Sequence, residues 1–342
     1  MEWLAKRFEL SRAGAGPNQR PMEGLRGLAV LLVFLVHSIT LAGPWLGAAG
    51  AARALAHAVH TIGNSGVGLF FVFSGYLIYG SLMRRPQPYL RFLSRRAGRI
   101  YPAFLAVFAL YLALSLLLPG QSKIPAAPPA AVLYLAQKLL LLPGLFPIEP
   151  MIAVAWSLSY EVLYYLAMPA LIAVARLRRR SARWRVWFFI GASGVGLLLC
   201  LRWGGPVRLA MFAGGILLHE APLSPLAGAV KTGLLGAAFF VLCLACLGRP
   251  AGALARAFSW TPLRWLGNMS YSFCLLHGLA LKAMFAGVAA LVPAAPHGAL
   301  PWLLLAAMLL ASLSGAAALF VLVERPCSLA PPIPATPICT RR

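Results

Sequence analysis

Apolar runs recur from one end of this chain to the other, and they leave little room for a water-soluble core. Of 342 residues 61% are hydrophobic and 11% charged, against roughly 25% charged in an ordinary globular domain. Stretches bounded by charge, Pro or Gly fall at Leu28 to Ala42, Ile62 to Met83, Ile100 to Leu118, Ala131 to Phe146, Ala153 to Ala175, Val186 to Leu201, Leu209 to Leu218, Gly233 to Leu247, Met269 to Val292 and Trp302 to Val323. About 20 apolar residues carry a helix through a bilayer, where the backbone must satisfy its own hydrogen bonds. The expectation is an all-α, polytopic transmembrane helix bundle of about ten apolar segments, making roughly eight to ten crossings. Residues 1–22 read as a basic, amphipathic surface segment, 23–327 as the transmembrane domain and 328–342 as a C-terminal tail. The first run is internal and does not read as a cleaved leader.

Short loops rich in Lys and Arg resist translocation, so the basic clusters set orientation. They precede the first run (Lys6, Arg7, Arg12, Arg20), follow the second (Arg84 to Arg99) and the fifth (Arg176 to Arg185), precede the ninth (Arg249, Arg256, Arg264) and close the chain. Placing all of them in the cytoplasm puts both termini there. It also requires two runs to be re-entrant or peripheral, and the short, proline-flanked Ala131 to Phe146 and Leu209 to Leu218 are the candidates. The net charge of +23 is therefore topology-setting and lipid-facing charge, with membrane lipids as partners and no call for nucleic acid. The six cysteines form no disulfide pattern, and Cys243 and Cys246 read as small packing residues. His57 and His60 share a loop face without a third ligand, too little for a metal.

Ionisable residues inside the apolar runs carry the functional signal, since each costs about 2.5–3.5 kcal/mol to insert. The chain has no aspartate and seven glutamates, so the intramembrane Glu161 stands out beside His37 and His277. Arg26 precedes His37 by eleven positions. Eleven helical steps return to within about 20° of the starting face and rise about 16 Å, which places the two on one stripe at different depths. In AWSLSYEVLYYL, Ser157, Glu161, Tyr164 and Tyr165 make a polar stripe, read either as acceptor contact or as helix-packing hydrogen bonds. Ser74, between Gly68 and Gly75, reads mainly as close helix packing, with an acyl-carrying nucleophile as the alternative. Arg95, Arg96 and Arg99 are either a positive-inside loop or bidentate phosphate ligands. His277, near Ser270 and Tyr271, is either a satisfied structural histidine or a group orienting a pocket.

RPMEGLRGLAVLLVFLVH, GVGLFFVFSGYLI, YLRFLSRRAGRIYP, AWSLSYEVLYYLAMP, WLGNMSYSFCLLH and VERP follow one another between Arg20 and Pro326. In that order they resemble the signature blocks of the membrane acyltransferase-3 family. The resemblance implies an integral membrane O-acyltransferase of about ten helices. Such an enzyme takes an acyl group, most often acetyl, from acyl-coenzyme A and places it on a hydroxyl of a glycan, a lipid-linked glycan or a glycosylated small molecule of the envelope. No permanent cofactor is implied, only the acyl-coenzyme A co-substrate, and the setting is a bacterial inner membrane. The family's essential arginine and histidine correspond to Arg26 and His37, and its paired loop arginines to Arg96 and Arg99. One departure is Glu23, where the family usually has aspartate; a pairing with Arg26 stays open. Cys274 replaces a commoner aromatic, which bears on packing.

Transfer from a thioester to a sugar hydroxyl needs a base for the alcohol proton, and a neutral imidazole suits that task. His37 is the candidate base, Glu23 or Glu161 its modulators, and Arg26 a ligand for the donor. Direct attack within one cavity is preferred over an acyl-enzyme relay, because Ser38 alone stands beside His37. A proton-coupled secondary transporter or exporter of a small acyl or glycan metabolite is the alternative class, although no matching internal halves are visible.

Overall fold

The structure, a computed structural model, describes residues 2–10, 19–46, 50–203, 209–220, 252–292 and 299–329. Among these there is no strand. The helices are α1 (Glu2–Phe8), α2 (Gln19–Leu41), α3 (Ala51–Gly63), α4 (Ser65–Arg84), α5 (Tyr89–Leu117), α6 (Pro128–Leu139), α7 (Ala155–Val174), α8 (Ala182–Trp203), α9 (Ala210–Glu220), α10 (Ala253–Phe258), α11 (Thr261–Asn268), α12 (Ser270–Leu291) and α13 (Leu300–Leu319). A wider π-type coil, Phe320–Leu329, continues α13.

Six helical stretches among the described residues are long and apolar enough to cross a membrane, fewer than the ten runs of the sequence. The shortfall has local causes. Ala131 to Phe146 yields only the 12-residue α6 and Leu209 to Leu218 the 11-residue α9, about 18 and 16 Å long. The 22-residue α8 is not among the six. Gly233 to Leu247, with Cys243 and Cys246, lies outside the described residues. The second run is longer than expected, because α3 and α4 join through the helical backbone of Asn64 into one 34-residue stretch.

Two loops of the sequence reading are helical. His57 and His60 lie on α3, whose AARALAH start is rich in the strongest helix former. The Pro/Ala segment from Pro125 to Ala131 becomes the first turn of α6 at Pro128, where proline fits because that position needs no N–H. The first spanning helix starts at Gln19, inside the stretch expected as surface.

Glycines set how close the helices come. A Cβ on Gly24 would lie 1.7 Å from the Phe258 carbonyl oxygen, and one on Gly267 1.7 Å from that of Glu23. The start of α2 therefore rests backbone to backbone on α10 and α11. Gly75 and Gly215 do the same for α4 and α9, with clearances of 2.1 and 2.0 Å to the Phe212 and Val72 oxygens. This is the close approach that small residues permit between apolar helices, where no hydrophobic drive separates lipid from partner.

Polar contacts tie the arginine-rich helix ends together. Arg185 at the start of α8 donates to Glu220 at the end of α9 at 2.6 Å, and Tyr79 of α4 donates to the same carboxylate. Arg178 donates to the Leu82 carbonyl at 2.9 Å. Arg264 of α11 holds both Glu9 and, at 3.1 Å, Glu23, while Asn268 donates to the Phe8 carbonyl at 3.0 Å. The N-terminal segment is thus strapped onto the bundle. Away from these ends Leu116, Leu291, Leu303 and Leu310 stand exposed, as lipid-facing side chains do.

Candidate active site

Arg26 reaches from α2 to the head of α12, where its Nη2 donates to Ser270 Oγ at 2.8 Å. The two line a cavity of about 280 Å³ into which Arg96 and Arg99 of α5, Ser74 of α4, and Ser157, Glu161 and Tyr165 of α7 also face. Five helices, α2, α4, α5, α7 and α12, thereby contribute polar groups to one space at the arginine-rich end. Glu161 Oε1 accepts from Ser74 Oγ at 3.2 Å and from the Tyr165 hydroxyl. The Arg96 guanidinium lies over the rings of Phe92 and Tyr165, 5.2 and 5.5 Å from their centroids, a geometry that fixes a flat cation in place. Three guanidinium groups against one carboxylate leave the lining positive.

The remaining sequence candidates fall elsewhere. Arg95 is exposed and donates to Gln87. Glu23 is buried and accepts a hydrogen bond from Arg264. Tyr164 turns away from Tyr165, stacks on Phe212 at 4.5 Å and donates to the Gly75 carbonyl at 3.4 Å. The polar stripe of α7 thus splits between the cavity and packing.

His37 is not part of the cavity lining, but Val33 is, one turn earlier on α2. The Nδ1 of His37 sits 2.9 Å from the Val33 carbonyl oxygen. A carbonyl can only accept, so in the neutral ring Nδ1 carries the proton and Nε2 keeps the lone pair. His277 repeats the arrangement on α12, with Nδ1 3.0 Å from the Phe273 oxygen. The two rings meet edge to face at 4.9 Å. His277 is fully buried, and its Nε2 has no hydrogen-bond partner among the described residues; like His37, it is not part of the cavity lining. Ser38 is committed to the Phe34 carbonyl at 2.9 Å. No group of three or more metal-ligating side chains occurs among the described residues.

Three residues were not assigned to the site by sequence reasoning. Glu324 of the VERP block is 2% exposed and accepts from both the backbone N–H, at 3.1 Å, and the hydroxyl of Ser272. It caps the start of α12 from another segment, as a carboxylate at a helix N-terminus should, and so fixes Ser270 beside Arg26. Tyr271 and Cys274 line the cavity, and the Tyr271 hydroxyl donates to the Ile100 carbonyl at 2.8 Å. The available signal for Glu324 was scarcity, since in a chain with seven acidic side chains each one inside an apolar stretch needs a partner.

A family profile described as an acyltransferase domain, acyltransferase-3, matches residues 21–248. The chain is 27% identical to the exopolysaccharide production protein ExoZ of Rhizobium meliloti over 306 residues, which covers 78% of this chain and 90% of that protein. It is 36% identical over 94 residues to BcsY of Komagataeibacter xylinus, named as a membrane-bound transacylase, covering 27% of this chain and 19% of that protein. No solved structure matches.

Proposed function

The chain belongs to the acyltransferase-3 family and is a multi-pass membrane O-acyltransferase, and from that premise we propose that it carries an acyl group, acetyl in the first instance, from acyl-coenzyme A to a hydroxyl of a cell-envelope polysaccharide. The observation that carries this reading is the joining of Arg26, Arg96 and Arg99 around one cavity whose wall, at Val33, stands one turn from His37. The likeness to an exopolysaccharide production protein supports the acceptor class. Family membership favours the enzyme over the transporter.

The arginine-rich end faces the cytoplasm, where coenzyme A is found. Its phosphates meet Arg96 and Arg99, whose planar forks suit phosphate oxygens. Arg26, held by Ser270, stands deeper and donates to the thioester arm. A cavity near 280 Å³ admits a slender acyl-thioester arm. The acceptor comes from the opposite side. Its hydroxyl proton passes to the Nε2 lone pair of His37 as its oxygen attacks the thioester carbon. The C–S bond then breaks, and the departing thiolate takes up the proton. His277 sets its ring edge to face with the first and serves as a positioning residue for it.

One contact keeps a second route in view. Ser74 lines the cavity and donates to Glu161, which is the pairing that an acyl-serine relay needs. Rapid quenching of the protein with labelled acetyl-coenzyme A and no acceptor separates the two: direct transfer leaves the chain unlabelled, and the relay labels Ser74. The reading as a whole is tested by thiol release and acetyl transfer from acetyl-coenzyme A to envelope polysaccharide, with purified protein in lipid.

A further inference from the structure

The chain has five lysines, Lys6, Lys123, Lys138, Lys231 and Lys282, and three of them gather around one carboxylate outside the lining of the arginine-rich cavity. Lys123 is paired with Glu149. Lys138 and Lys282 both lie within electrostatic reach of Glu149 and Lys123. Lys282 is twelve residues along α12 from Ser270, a rise of about 18 Å, and Lys123 lies just beyond the end of α5 at Leu117. The cluster therefore stands on the side from which an acceptor would come.

Lys138 is the informative member. It is 3% exposed, and its Nζ sits 3.9 Å from the centre of the Tyr134 ring. Neither that Nζ nor the Tyr134 hydroxyl has a hydrogen-bond partner among the described residues. A buried ammonium with unfilled donors is costly unless an acceptor meets it. Three ammonium groups against one carboxylate leave an excess of positive charge, although the arginine-rich end already sets the chain's orientation.

The same connecting segment links this cluster to the chemistry. Val154 lines the cavity. Ala153 faces Gly278, next to His277, at 3.6 Å from where a Cβ would stand. Glu149 is four residues further back, among the lysines. A ligand held by the lysines would lie along the segment that passes the histidine pair.

We propose that Lys138 and Tyr134, with Lys123 and Lys282, bind a carboxylate or phosphate group of an acidic glycan, so that the preferred acceptor is an anionic polysaccharide. This rests on the acyltransferase reading above for its role, but not for its measurement, because binding of the glycan needs no donor. The probe is a uronate-bearing oligosaccharide, set against the same oligosaccharide with its carboxyl groups reduced to alcohols, on the full chain in nanodiscs of zwitterionic lipid. The acidic form binds on the order of tenfold more tightly than the reduced form, and Lys138→Met and Lys282→Gln each remove that difference while leaving the reduced form unchanged. Lys282 is exposed, so its variant stands even if Lys138→Met fails to fold. Equal binding of both forms by the native protein overturns the proposal. So does a preference that survives both variants, or one that vanishes only when anionic lipid is added, which would make the lysines a headgroup site. Acidic binding that depends on the lysines, in a protein that releases no thiol from acyl-coenzyme A, supports the site and sinks the acyltransferase reading alone.

Discussion

The rings of His37 and His277 stand edge to face with centroids 4.9 Å apart, each with its Nδ1 committed to the carbonyl one turn back on its own helix. That commitment leaves each ring with an Nε2 lone pair within the apolar region, where an unmet polar atom is costly. Replacing His277 with Phe keeps the ring and removes the lone pair. The expected result is a kcat lower by about 10²-fold, with KM for acyl-coenzyme A and the thermal midpoint unchanged. A fall in the midpoint that accounts for the lost activity would make His277 structural.

Arg96 is held over Phe92 and Tyr165 while its guanidinium faces the cavity. Lysine at this position keeps the charge but neither stacks as a plane nor offers two parallel donors. Arg96→Lys should therefore raise KM for acyl-coenzyme A by about tenfold with little change in kcat. Steady-state kinetics with the donor varied checks it, and Arg95→Lys, altered outside the cavity, should leave both constants where they were.

Much of the site could be read from residue type. Glu161 and Ser74 were visible as polar groups inside apolar runs, and Arg26, Arg96 and Arg99 as arginines at the edges of runs, and the fold puts all five on one cavity. Depth and direction were not visible. Helical period places Arg26 and His37 on one stripe, but whether each reaches the cavity depends on neighbours supplied by α4, α5, α7 and α12. Arg26 reaches it, and His37 stands behind Val33. Tyr164 and Tyr165 are adjacent in sequence, and only the position of Phe212 on α9 decides which of them packs. Apolarity alone does not distinguish a spanning helix from the short α6 and α9, which fall on the two proline-flanked runs read from the sequence as re-entrant or peripheral.

Gly267 has the Glu23 carbonyl oxygen 1.7 Å from the place a Cβ would take. The obstacle is backbone, so it cannot swing aside as a side chain would. Gly267→Ala should lower stability by about 1–3 kcal/mol and pull Glu23 away from Arg264. A thermal midpoint in one fixed detergent, compared with Gly287→Ala, where the added Cβ meets nothing within 4 Å, measures the effect.

Glu9 docks the N-terminal segment onto Arg264. Burial alone would raise its carboxyl, but hydrogen bonds from Arg264 and Trp265 outweigh that and hold it below the ordinary 4.5. A depressed carboxylate contributes stability that is complete above 4.5 and is lost as pH falls through the lower folded value. The contribution of this half-exposed group is under about 1 kcal/mol. A spin label at position 5 should stay ordered at pH 6 and gain mobility only as pH falls below 4.5, and Glu9→Gln should show that gain already at pH 6.

The most direct test is acetyl transfer from labelled acetyl-coenzyme A to envelope polysaccharide by the purified protein in lipid, comparing the native chain with His37→Ala. If His37 takes the acceptor proton, the variant binds donor as tightly as the native chain and transfers acetyl about 10²–10⁴-fold more slowly. Transfer by His37→Ala at the native rate would contradict the account.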